Sequence, residues 1–199
     1  CMVSAALLPL SPRLTEAERA TIVEVVEPMV DLDDPGLLTQ TEADMPMLGE
    51  HDTDDVCAYV LSSGSTGVPK PIGLTYGNFL WSAMGGAFNI GVDPADRWLC
   101  CMPLSHIAGL SIVIRSAIYG STAVVHDGFD VERVARSLVE DEISVVSLVT
   151  TMLSRLLEAG ADLSKPRAIL VGGGPVPESI LAEAIDRGAT VVQTYGLTE

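Results

Sequence analysis

Apolar residues in this chain fall into short runs separated by polar, glycine-bearing breaks, and two spacings alternate along it. Runs of β-branched and other apolar residues predict strands over residues 56–61, 98–102, 123–126, 145–149, 168–171 and 190–193. Between them, apolar positions at helical spacing predict helices over 78–90, 107–119, 131–140, 151–158 and 177–187. An earlier helix is expected over 14–26 behind Thr15, with Glu16 and Glu18 in the first turn, where the helix dipole favours carboxylates. Strand–helix alternation predicts parallel pairing through right-handed crossovers. The expected fold is α/β, a wound and mostly parallel sheet, read as one continuous sheet with helices on both faces.

A length of 199 residues allows one sizeable core, and one domain is expected: 1–55 as helix and acidic connector, 56–199 as the α/β core. Nine carboxylates between Asp31 and Asp55, with Pro35, Gly36, Pro46 and Gly49 among them, have the makeup of a solvated linker. Hydrophobic residues make up 48% of the chain, yet no apolar run approaches the roughly 20 residues that span a bilayer. A net charge of -16 with no Lys/Arg stripe argues against nucleic acid as a partner, because a polyanion is repelled and no counterions are released. Lysine occurs only as Lys70 and Lys165, a balance that suits high salt, where ions screen self-repulsion. Cys57, Cys100 and Cys101 sit in apolar runs without a C-x-x-C pair, so reduced core thiols and a cytoplasmic setting are expected. The adjacent Cys100 and Cys101 should point to opposite faces of their strand.

Candidate chemistry starts at Ser62-Ser63-Gly64-Ser65-Thr66-Gly67-Val68-Pro69-Lys70, directly after the first long apolar run. Gly64 and Gly67 free the backbone to aim several N–H groups at one anion, Ser63, Ser65 and Thr66 add hydroxyl donors, and Lys70 adds charge. The spacing is not that of the commonest phosphate loop, which weakens a kinase or GTPase reading. A polar surface turn between a strand and a helix is the plain alternative. Two more polar turns follow predicted strands: Gly172-Gly173-Gly174-Pro175 and Gln193-Thr194-Tyr195-Gly196-Leu197-Thr198-Glu199. In a wound sheet the strand carboxyl ends line one crevice, so all three turns are expected to converge.

These segments, with Met102-Pro103-Leu104-Ser105-His106-Ile107-Ala108-Gly109 between them, resemble in the same order the adenylate-forming family of acyl- and aryl-CoA ligases, nonribosomal adenylation domains and luciferases. Within it, residues 76–83, 98–104 and 110–116 are similar to o-succinylbenzoate-CoA ligases of menaquinone synthesis. The resemblance implies ATP-dependent activation of a carboxylic acid to an acyl-adenylate, then thioester formation with coenzyme A. ATP, Mg2+ and coenzyme A are the implied cofactors and co-substrates, and a homodimer is left open. A medium-chain or aryl acyl-CoA synthetase is the alternative, and a non-catalytic nucleotide-binding fragment the rival of another class. Family members are longer, so the resemblance places the chain in the large N-terminal domain, truncated, with the C-terminal domain absent and activity absent or partial.

By the same resemblance Ser63, Gly64, Ser65, Thr66, Gly67 and Lys70 grip the departing phosphates. Gly172, Gly173, Gly174 and Pro175 lie against adenine, with Gln193, Thr194, Tyr195 and Gly196 completing the nucleotide site and Tyr195 stacking on the base. Thr198 faces the α-phosphate, and Glu199 holds magnesium together with Thr66. Lys70, His106, Thr198 and Glu199 form the catalytic set, and His106 gates the acyl pocket. Pro71 departs from the family pattern after the lysine and stiffens the loop, and Thr150-Thr151 stand where relatives commonly show proline and threonine. Arg115 interrupts an apolar helix, where an unpaired guanidinium is costly. Either an internal carboxylate or the second carboxylate of a dicarboxylate substrate would partner it. His51 and His126 are read as structural.

Overall fold

The computed structural model describes residues 6–27, 52–62 and 70–198, and the chain divides into two compact units, 1–78 and 79–199. In the first unit, helix α1 (Glu16–Val26) starts at Thr15 as expected. Thr15 and Glu18 cap each other reciprocally, the Thr15 hydroxyl accepting from the Glu18 N–H while the Glu18 carboxylate accepts from the Thr15 N–H. Strands β1 (Val56–Ser62) and β2 (Lys70–Thr75) pair antiparallel, with Ser62 opposite Lys70. Leu7 extends this ribbon by bonding to Cys57 and Tyr59, over a small core of Ile22, Cys57, Ala58, Val60 and Leu74.

Helix α2 (Tyr76–Ile90) follows β2 without a break because Thr75 and Asn78 cap its start reciprocally. The second unit then alternates strand and helix: β3 (Arg97–Cys100), α3 (Ile107–Tyr119), β4 (Thr122–Val125), α4 (Val131–Glu140), β5 (Val145–Val149), α5 (Thr150–Glu158), β6 (Ala168–Gly172), α6 (Glu178–Asp186) and β7 (Val191–Gln193). Its five strands are parallel in the order β4-β3-β5-β6-β7. The chain steps one way from β3 to β4 and then reverses, which puts the topological switch point between β3 and β5.

Both faces of this sheet are covered. Leu99, Cys101, Val146, Leu148, Ile169 and Val171 pack with Val134, Leu138, Leu153, Leu156 and Ala184 from α4, α5 and α6. Trp98, Cys100, Val145, Ala168 and Leu170 pack with Ile112 and Tyr119 of α3 and Ile90 of α2. Cys100 and Cys101 therefore serve opposite faces, and Cys57, Cys100 and Cys101 are all buried, as expected of core cysteines. Burial pushes the Cys101 thiol up to about 12, so it behaves as a small hydrophobe.

One expectation is corrected. Among the described residues β1 does not join the parallel sheet but forms its own antiparallel ribbon with β2. The stretch Lys70-Pro71-Ile72-Gly73-Leu74-Thr75 lacks the look of a strand because Pro71 and Gly73 interrupt it. Within this ribbon, however, β2 is an edge strand, and an edge tolerates a proline. The segment 63–69 thus connects two antiparallel strands rather than a strand and a helix.

Candidate active site

The carboxyl ends of the second unit's parallel strands bring several candidate residues to one edge. After β3 the chain turns through Pro103 to His106, which starts α3 with extended dihedrals. The His106 N–H donates to Pro103 and its carbonyl accepts from Gly109 and Leu110, so the backbone is pinned. Its side chain makes no capping bond and is exposed at the rim. A Cβ on Gly109 would lie 2.3 Å from the Pro103 carbonyl oxygen, so only glycine lets α3 close on this turn.

The turns after β5, β6 and β7 interlock. Thr194 donates its N–H to Val171 over 2.8 Å. A Cβ on Gly172 would stand 2.2 Å from the Thr194 hydroxyl. Gly173 has φ +78, a left-handed value that glycine adopts freely, and a Cβ there would lie 3.2 Å from the Val149 side chain. The Thr150 hydroxyl donates to the Pro175 carbonyl at 3.1 Å, so the departure at Thr150 serves to tie α5 to the glycine turn. The chain then leaves the sheet with Tyr195 93% exposed, its whole ring face available beside two backbone turns.

Two of the three expected turns are thus brought together, together with His106 at the same edge. Gly172, Gly173, Gly174, Pro175, Gln193, Thr194, Tyr195, Gly196 and Thr198 lie on or beside β6 and β7. Ser63, Gly64, Ser65, Thr66 and Gly67 lie outside the described residues, as do Glu199 and His51. Lys70 opens β2 in the first unit with its side chain exposed. Among the described residues no group of three His, Cys, Asp or Glu side chains could hold a metal ion.

Arg115 is partly buried on the α3 face of the sheet. One terminal nitrogen donates to the Ser82 hydroxyl at 2.7 Å, and the guanidinium lies 6.0 Å from the Trp98 ring centre. Its Nε is buried without a hydrogen-bond partner, and desolvation lowers its pKa from the usual arginine value. No carboxylate meets it among the described residues, so of the two partners weighed for it the internal one is not formed there. Trp98 is held in turn by a bond from its indole N–H to Ser147 and by stacking on Tyr119, whose hydroxyl donates to the Ala83 carbonyl. Sequence reading missed Ser82, Trp98, Tyr119 and Ser147; the one local signal was the i,i+4 spacing that puts Arg115 and Tyr119 on one helix face.

The AMP-binding enzyme family is matched over residues 30–199. The chain belongs to this family. AMP-binding relatives include the 2-succinylbenzoate–CoA ligase of Bacillus pumilus, 38% identical over 96% of this chain, and that of Bacillus licheniformis, 45% identical over 73% of it. The chain spans about 43% of the length of the first and about 31% of the second. Among solved AMP-binding structures, o-succinylbenzoate CoA synthetase from Bacillus subtilis superposes in two complexes. With the acyl-adenylate intermediate OSB-AMP, the TM-score is 0.86 at 34% identity, covering 96% of this chain and 43% of that one. With ATP and magnesium ion, the TM-score is 0.84 at 34% identity, covering 96% and 44%. This agreement places the wound sheet in the family's N-terminal domain.

His126, at the carboxyl end of β4, bears out its structural reading. It is buried, its Nε2 lies 3.2 Å from the Ser137 hydroxyl, and its Nδ1 has no hydrogen-bond partner. Burial, then the nearby Arg133, lowers its pKa below the ordinary 6.5, while Asp141 and Asp127 pull the other way. The unfolded chain therefore binds this proton more readily, and the native state loses stability as pH falls below that ordinary value. The melting temperature should drop between about pH 7 and about pH 5, and less steeply in His126→Gln; equal slopes in the two proteins would remove this cause.

Among the described residues no helix is long and apolar enough to cross a membrane.

Proposed function

We propose that this chain is the substrate- and nucleotide-binding part of an AMP-forming acid–CoA ligase acting on o-succinylbenzoate in menaquinone synthesis. The observation that carries the reading is Arg115, a partly buried guanidinium whose Nε is buried and unpartnered, with no carboxylate partner among the described residues. A desolvated donor left without an acceptor is costly unless a ligand supplies one. Helical side chains lean toward the helix N-terminus, so Arg115 reaches from α3 toward the edge where His106 stands. o-Succinylbenzoate carries one carboxylate to be activated and a second for Arg115 to hold.

In the proposed reaction an oxygen of the activated carboxylate attacks the α-phosphorus of ATP, the bond to the β-phosphate oxygen breaks, and pyrophosphate leaves. The sulfur of coenzyme A then attacks the acyl carbon, its proton is lost, and AMP departs with the pair that bonded it. Gly172, Gly173, Gly174 and Pro175 offer bare backbone to adenine, Tyr195 stacks on it, and Gln193, Thr194 and Gly196 shape the rest of that surface. Thr198 donates to the α-phosphate, and Ser63, Gly64, Ser65, Thr66, Gly67 and Lys70 hold the leaving phosphates. Magnesium, with Glu199 and Thr66 as its oxygen ligands, would offset phosphate charge. His106, exposed at the rim with its backbone pinned, orients the incoming carboxylate. A cytoplasmic setting belongs to this reading, in keeping with three cysteines buried in apolar surroundings.

Arg115→Leu tests the substrate. Its dissociation constant for o-succinylbenzoate should rise about tenfold or more, the scale of one lost charge-assisted hydrogen bond, with ATP affinity unchanged. An unaltered affinity for o-succinylbenzoate would reject the role and return the substrate to a medium-chain or aryl monoacid.

A further inference from the structure

Helices α2 and α3 are joined by two neighbouring hydrogen bonds. The Arg115 guanidinium donates from one terminal nitrogen to the Ser82 hydroxyl at 2.7 Å, and one turn further along α3 the Tyr119 hydroxyl donates to the Ala83 carbonyl. The helices approach closely here, since a Cβ on Gly86 would lie 3.0 Å from the Tyr119 hydroxyl oxygen. Trp98 meets both α3 side chains, its ring centre 6.0 Å from the guanidinium carbon and its ring stacked on Tyr119. The guanidinium is thereby held at one end by Ser82 and over one face by Trp98, while its Nε stays buried without an acceptor.

Arg115 is the single charged residue of α2 and α3 together, in a chain with 27 Asp and Glu residues. Elsewhere arginines meet carboxylates: Arg133 has Asp127, Arg167 has Asp96 and Arg187 has Glu183. Serine and aspartate are of similar reach, and position 82 is exposed, so a carboxylate has room there. It would accept the same hydrogen bond more strongly, because charge on both partners strengthens it. A neutral hydroxyl instead fixes the direction of the planar fork and leaves its charge uncompensated. The hydroxyl, while accepting, also keeps its own hydrogen to donate. Such an arrangement contributes little to stability and suits an anion that binds and leaves.

We propose that Ser82 is a positioning residue for the substrate: its uncharged hydroxyl orients the Arg115 guanidinium for the second carboxylate of o-succinylbenzoate without neutralising it. The inference rests on the proposed function and adds what keeps Arg115 available. With an acidic side chain at position 82, the empty protein would satisfy the arginine internally, and the substrate would have to displace that carboxylate in order to bind. With no acceptor there, one terminal nitrogen loses its tie and the fork is free to turn, so the cost of ordering it falls on binding.

The test reads calorimetry with o-succinylbenzoate beside urea unfolding for Ser82→Ala, Ser82→Thr, Ser82→Asp and Arg115→Leu. Ser82→Ala should raise the dissociation constant about tenfold, the scale of one hydrogen bond to a charged group, and Ser82→Thr, which restores the hydroxyl, should return it to within about twofold of wild type. Ser82→Asp should weaken binding further than Ser82→Ala does, yet move the urea midpoint upward. That upward shift should vanish in the Arg115→Leu background, where no cation remains to pair with the new carboxylate. If Ser82 merely ties two helices, Ser82→Ala lowers the midpoint and leaves the dissociation constant alone, a result that overturns the proposal. Wild-type affinity in Ser82→Asp, or an upward shift that persists without Arg115, overturns it too. The two readings fail separately: affinity lost in Arg115→Leu but kept in the Ser82 variants removes this role and leaves the substrate, whereas wild-type affinity in Arg115→Leu removes both.

Discussion

Asp96→Ala is expected to lower the unfolding free energy by about 3 kcal/mol, the low end for removing one partner of a buried pair, since the Arg167 side chain is one-third exposed. Asp96 is 8% exposed just before β3. One carboxylate oxygen accepts from Arg167 Nε at 2.8 Å and from the Ser144 hydroxyl at 2.7 Å, while the other accepts from a terminal nitrogen of Arg167. Arg167 also donates to the Ile90 carbonyl, and the Ser144 hydroxyl accepts from the Arg97 N–H. One carboxylate thereby joins the end of α2 to the starts of β3, β5 and β6, at the sheet edge opposite the candidate site. The hydrogen bonds from Arg167, opposed by burial, hold the Asp96 carboxyl below its ordinary 3.8. Its stabilisation is complete above that pH and is lost as pH falls toward the depressed native value. Urea unfolding at neutral pH checks the magnitude, and the variant should also lose part of the wild type's acid sensitivity below about pH 4. A midpoint equal to wild type would mean that the knot is ornamental.

Gly109→Ala should cost about 3 kcal/mol, the upper end for overpacking a core, because the added methyl meets backbone rather than a side chain that can swing away. The nearest atoms are the Pro103 carbonyl oxygen at 2.3 Å and the Met102 carbonyl oxygen at 2.8 Å. Relief requires α3 to move off the turn that carries His106. Arg115, on the same helix, moves with it. The variant should therefore unfold at lower denaturant and, if the proposed function holds, bind o-succinylbenzoate more weakly. Wild-type unfolding would show that the turn yields at no cost, and the close packing of α3 would then not be what positions His106.

Much of the fold was legible because the five parallel strands are short, apolar and bounded by polar breaks, while the helices between them carry one apolar stripe each. The opposed Cys100 and Cys101 follow from the period of two alone. Lys70–Thr75 was not legible as β2, since Pro71 and Gly73 break the local pattern and only pairing with β1 makes it a strand. Nor does any local feature say that β1 leaves the parallel sheet, because sheet membership is a long-range choice. At the candidate site, the glycine turn and the segment after β7 announced themselves by composition. The surroundings of Arg115 did not: Ser82, Trp98 and Ser147 reach it or its support from three other elements, and hydroxyl or ring contacts leave no charge pattern to read. The Asp96–Arg167 pair was equally hidden, its members standing at the starts of two different strands.

In the proposed function the interlocked turns after β6 and β7 form an adenylate surface with Tyr195 as its aromatic face. Calorimetric titration of the chain with AMP tests this directly, beside Tyr195→Ala, a substitution at an exposed position that leaves the fold intact. Saturable one-site binding by the wild type, weakened about tenfold or more in the variant as loss of base stacking requires, is the predicted result. Equal affinity in the two proteins, or no heat from either, would contradict it.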